Sequence, residues 1–72
     1  MALPKDMQTW ARQFCKSRNT SLWKVFESDD MKSIAIKNNI IITAHAVLGD
    51  HHIRDIANYV KKPEAYVRRV LR

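Results

Sequence analysis

The chain has one cysteine, one glycine and two prolines in 72 residues. The single cysteine, Cys15, excludes an internal disulfide and a cysteine-rich zinc site, and it fits a reducing compartment. Long apolar runs are missing too. The first 20 residues carry four basic side chains and no hydrophobic stretch, so nothing there resembles a secretory leader. The longest nearly apolar run, residues 40–48, is about half of what a bilayer span requires. A cytoplasmic protein is expected. No phosphate loop, paired carboxylates or catalytic triad can be assembled, so an enzyme is not expected, and no cofactor is implied. There is no internal repeat, low-complexity tract or linker. Seventy-two residues allow one domain with a small core.

What the chain does have is positive charge, +6 from 13 basic and 7 acidic residues. The charge is uneven. Residues 61–72 hold five basic side chains against Glu64, and residues 4–18 hold four against Asp6. Between them Glu27, Asp29 and Asp30 make a local acidic spot. Two basic ends point to a polyanionic partner; the plainer explanation is solubility.

The apolar residues then give the elements. Residues 1–3 are expected to be loose. Pro4 can open a helix over 4–18, with Asp6 in its first turn. Leu3, Met7, Trp10 and Phe14 recur at helical spacing with Ala11 beside them, an apolar stripe that predicts burial in a core or a dimer contact rather than base stacking. Asn19 is a stop. Thr20 or Ser21 can cap a second helix over 20–28, and Asp29 or Asp30 can cap the next. Residues 31–48 read two ways. SIAIK and IIITA around Asn38-Asn39 would make a hairpin, in keeping with the isoleucines. The helical reading, broken near Asn38-Asn39, is preferred, because a helix over 39–48 would cover the unit that follows. Gly49 would end it in a left-handed conformation.

That unit organises the chain. Ile53, Ile56, Ala57 and Val60 share one helical face over 52–60, and Val67, Val70 and Leu71 share another over 63–71. Lys61-Lys62-Pro63 lies between. Pro63 suits a helix start, Glu64 its first turn, and Arg68, Arg69 and Arg72 its negative end. The pair Ile56-Ala57, then Val60, then Val67 and Val70 resembles the helix-turn-helix superfamily. The small Ala57 lets the second helix cross closely. The resemblance departs from the superfamily at the turn, where Lys61 and Lys62 stand in place of a glycine and an apolar residue; a left-handed lysine is strained.

The resemblance implies an all-α domain, 1–72, with a three-helix unit at 39–71, and double-stranded DNA as partner, the helix 63–71 entering the major groove. Glu64, Ala65, Arg68, Arg69 and Arg72 would face outward. Arg68 and Arg69 are the candidates for base edges or nearby phosphates, and Lys61, Lys62 and Arg72 for the backbone. Glu64 could accept from cytosine, although a helix-start role suits it better. The Tyr66 hydroxyl could meet a phosphate or simply pack. A homodimer through the N-terminal helices would supply two half-sites. A second possibility is an adaptor that docks on a larger nucleic-acid machine through Trp10, Phe14, Trp23 and Phe26. His45, His51 and His52 lack the companions of a metal site, and none is expected.

Overall fold

A computed structural model describes residues 3–72, which form five α-helices: α1 (Lys5–Ser17), α2 (Leu22–Glu27), α3 (Met31–Leu48), α4 (Ile53–Val60) and α5 (Glu64–Val70). A short 3-10 turn, Asp50–His52, leads into α4. No strand occurs among the described residues. The fold is all-α, as expected. Each helix begins or ends within one or two residues of its expected boundary, except α3.

The middle of the chain corrects the sequence reading. Residues 31–48 are one unbroken helix, with neither a hairpin nor a break at Asn38-Asn39. Asp30 caps its start, its Oδ1 accepting from the Ser33 amide at 2.7 Å. The two asparagines are absorbed in place: Asn39 donates to the Ala35 carbonyl at 3.1 Å, and Asn38 accepts from the Tyr66 hydroxyl at 3.0 Å. The isoleucines do not form a strand, because α3 is the central helix of the domain. It packs against α1, α2, α4 and α5, so a broad apolar face is needed along its length. Ile36, Ile40, Ile41 and Ala44 are fully enclosed. Burial on this scale overrides a local strand preference of about 1 kcal/mol at most.

The N-terminal stripe also differs from expectation. The buried row of α1 is Met7, Ala11 and Cys15, an i, i+4 series that Leu3 extends ahead of the helix; Trp10 and Phe14 flank it, partly covered. Small side chains at Ala11 and Cys15 bring α1 close to its neighbours, and the two large rings stack on each other, 5.1 Å between centroids. Leu3 is buried rather than loose. The looseness expected of residues 1 and 2 lies outside the described residues.

Two helices end in the same way. Thr20 N–H donates to the Cys15 carbonyl and Asn19 N–H to that of Lys16, while Lys62 N–H donates to Ala57 and Lys61 N–H to Asn58. These are paired 6→1 and 5→2 bonds around a left-handed residue, Asn19 in one case and Lys61 in the other, both at φ 59°. Gly49 at the end of α3 is different. Its φ of 84° with ψ of −179° is positive but extended, not left-handed helical, a combination essentially confined to glycine.

Candidate functional site

The sequence places α5 across α4 by way of Lys61, and the geometry is a tight turn. Lys61 adopts φ 59° and ψ 43°. Pro63, extended at φ −63° and ψ 153°, precedes the first helical residue, Glu64. Ile56, Ala57 and Val60 of α4 and Val67 of α5 are buried, and Val70 and Leu71 pack at the edge of the core. These contacts fix which side of α5 faces outward. At about 100° per residue, Ala65, Arg68, Arg69 and Arg72 fall on one arc of roughly 100°, and all four are exposed. Ala65 is the smallest of the set and leaves the backbone open to close approach between the arginines.

The remaining candidates have different surroundings. Lys61 is exposed. Lys62 turns back onto the body, its Nζ 3.1 Å from Asp29 Oδ1, and lies over the Tyr66 ring. Tyr66 is held by Asn38. Both are therefore engaged inside the protein. Glu64 is an organiser of cations: one carboxylate oxygen lies 3.5 Å from Arg54 and the other 3.7 Å from Arg68. Arg54 was not singled out from the sequence. Its signal was available, since Ile53, Ile56, Ala57 and Val60 take the inner face of α4 and leave Arg54 on the outer one.

The flank of this face carries a histidine–carboxylate hydrogen bond. Asp50 accepts from His45 Nε2. That hydrogen bond, then the charge of His45, hold the Asp50 carboxyl below its ordinary range, and Arg68 adds a smaller contribution of the same sign. Asp50 and Glu64 thus sit along one border of the arginine arc. Arg69 and Arg72 make no ion pair among the described residues.

Behind the site lies a knot of charges at the α2–α3 junction. Lys37 is buried completely, its Nζ donating to the Ser28 carbonyl at 3.2 Å and lying 3.7 Å from Asp29. Burial pushes the Lys37 pKa down, and the charge of Lys62 adds to that; Asp29 opposes both. The Asp29 carboxyl is held below its ordinary range, first by the hydrogen bond from Lys62 and then by the charges of Lys62 and Lys37. The acidic spot read from the sequence therefore divides its labour. Asp30 caps α3, and Asp29 ties α3 to the turn that presents α5.

Among the described residues no three histidine, cysteine, aspartate or glutamate side chains are grouped as metal ligands. No helix is long and apolar enough to cross a membrane among them. Cys15 is buried and its thiol pKa is raised by that burial, which keeps it protonated and unreactive.

The described residues thus form a five-helix, all-α domain with an arginine-bearing helix presented by a tight turn. Compared with protein-family models, curated proteins and solved structures, it matches none.

Proposed function

We propose that this protein is a small sequence-specific DNA-binding protein of the helix-turn-helix type, a transcriptional regulator that inserts α5 into the major groove. The observation that carries the reading is the outer arc of α5, where Arg68, Arg69 and Arg72 surround Ala65 while the opposite side is fixed to the core. A helix with its side chains is about 10–12 Å across, which fits a groove about 12 Å wide, and the seven residues of α5 give two turns to lie in it. Arg69 is the best candidate for a base edge, since it makes no ion pair among the described residues and lies at the end of the arc away from Glu64. Arg68, steadied by Glu64, reads an adjacent base or a phosphate. Arg72, Lys61 and Arg54 take the phosphate backbone, where single cations position the protein without reading sequence. Lys62 and Tyr66 contribute by fixing the turn and the tilt of α5.

One short helix contacts only a few base pairs, so a homodimer on two half-sites about 34 Å apart is part of the proposal. Selection from a random duplex pool, followed by titration of the enriched and a shuffled duplex, tests the reading. Arg69→Ala should cost about 1–3 kcal/mol on the enriched duplex and less on the shuffled one. Equal affinity of mutant and wild type on both duplexes overturns it.

A further inference from the structure

A second surface lies on the other side of Lys61. Leu22, Trp23 and Phe26 of α2 form the floor of an open groove of about 480 Å³, and Arg12, Lys16 and Lys61 stand on its rim. Trp23 is 61% exposed, by contrast with Trp10, Phe14 and Phe26, which are partly buried. The buried Ser21 hydroxyl in the same lining has no hydrogen-bond partner.

The rim cations belong to the larger set of basic side chains, Arg69 and Arg72 among them, that no carboxylate neutralises among the described residues. Lys37, Lys62, Arg54 and Arg68 each have a carboxylate within 4 Å, whereas Arg12, Lys16 and Lys61 make no ion pair among the described residues. An apolar trough ringed by three unpaired cations is complementary to a ligand with an apolar stripe and acidic flanks. We propose that this groove docks an acidic amphipathic helix of a partner protein, Trp23 serving as the anchor and the three cations setting specificity and orientation.

Other occupants fit less well. A second copy of this chain would bring its own basic stretch, +3 over residues 4–18, against a basic rim. A nucleic acid could stack on Trp23, but a carbon floor offers base edges few polar groups to pair with. An acidic helix meets both features at once, placing leucine or phenylalanine side chains at i, i+3 and i+4 on the floor and carboxylates against the rim.

The test uses the full chain without DNA, so that its outcome is separate from that of the DNA-binding reading. Trp10→Phe leaves Trp23 as the sole tryptophan emitter. The probe is a labelled helical peptide of about 15 residues, with leucine and phenylalanine on one face and aspartate and glutamate elsewhere. The same peptide with lysine for every acid, a single-stranded oligonucleotide of about 12 nucleotides, and decanoate are the comparisons. The acidic peptide should shift Trp23 emission to the blue and bind in a salt-dependent manner. Label anisotropy should show at least a tenfold loss for Trp23→Ala and for the double variant Arg12→Glu, Lys16→Glu, with circular dichroism unchanged. All three positions are exposed, and Lys16→Glu alone serves if the double variant unfolds. Equal binding of the lysine peptide, indifference to the substitutions, stronger binding of the oligonucleotide or decanoate, or no acidic-peptide binding at all overturns the proposal.

Discussion

Lys62 reaches back 33 positions to Asp29, donating to its Oδ1 at 3.1 Å. This contact joins the turn that presents α5 to the junction between α2 and α3, and Lys37 approaches the same carboxylate from the interior. An acid remote in sequence thus reinforces the orientation that core packing of Val60 and Val67 gives the arginine face.

The pH dependence follows from that acid. The folded Asp29 value is depressed, so its contribution is present above the unfolded value, near about 3.9, and is lost as pH falls through the folded value. Asp30 acts in the same direction, its carboxyl lowered chiefly by the Ser33 amide. Thermal melting from neutral pH down to about pH 2 should show a decline below about pH 4 that is shallower in Asp29→Asn. An identical decline in both proteins would remove Asp29 from this role.

Lys37 gives a slope of the same sign in the alkaline range, although there it is an unfavourable charge that is relieved. Its folded pKa is depressed by burial, so stability should rise as pH increases through that value toward about 10.4. Lys37→Met keeps the volume and removes the buried charge. It should match or exceed the wild type in denaturant midpoint, as replacement of buried ions by apolar groups often does, and lose the alkaline rise. Lys37→Ala, which leaves a cavity, should lower the midpoint. A Met variant as unstable as the Ala variant would show that the ammonium itself holds the junction.

Lys61→Gly separates stability from binding. A left-handed L-residue costs about 1–2 kcal/mol, offset in part by glycine's greater chain entropy. A gain of about 0.5–1 kcal/mol is expected in chemical denaturation. Asn19→Gly should gain less, since asparagine tolerates that region. If Lys61 meets a phosphate, the same variant should bind DNA more weakly, with a salt slope reduced by about 1. Unchanged slope would take Lys61 off the DNA surface.

Gly49→Ala should destabilise by about 1–3 kcal/mol for a backbone reason alone. No heavy atom lies within 4 Å of where a Cβ would stand, so sterics are open. Urea unfolding checks it, and a neutral result would mean that the chain can redirect the α3 exit at no cost.

Much of this architecture was legible in the residues. The inner faces of α4 and α5, the exposed arc at Ala65, Arg68, Arg69 and Arg72, and the strained lysine at the turn all follow from spacing and from a missing glycine. The continuity of α3 did not. Asn38 and Asn39 look like a break when read locally; their partners, Tyr66 on α5 and Ala35 one turn back, become visible only after folding. Trp10 and Phe14 misled for a related reason. Hydrophobicity marks large rings for the centre, whereas close helix packing reserved it for Ala11 and Cys15. The inward turn of Lys62 depends on a contact 33 residues away, which helical periodicity does not encode. Arg54 is legible from the same spacing, since Ile53, Ile56, Ala57 and Val60 on the inner face of α4 leave it on the outer one.

The central position of α3 has a consequence for how the molecule can come apart. With every other helix leaning on a single axle, neither the front nor the back of the chain retains a complete interior when that axle frays. Loss of order should spread through all five helices in one step, and a cut within α3 should leave two fragments that regain shape only in each other's presence.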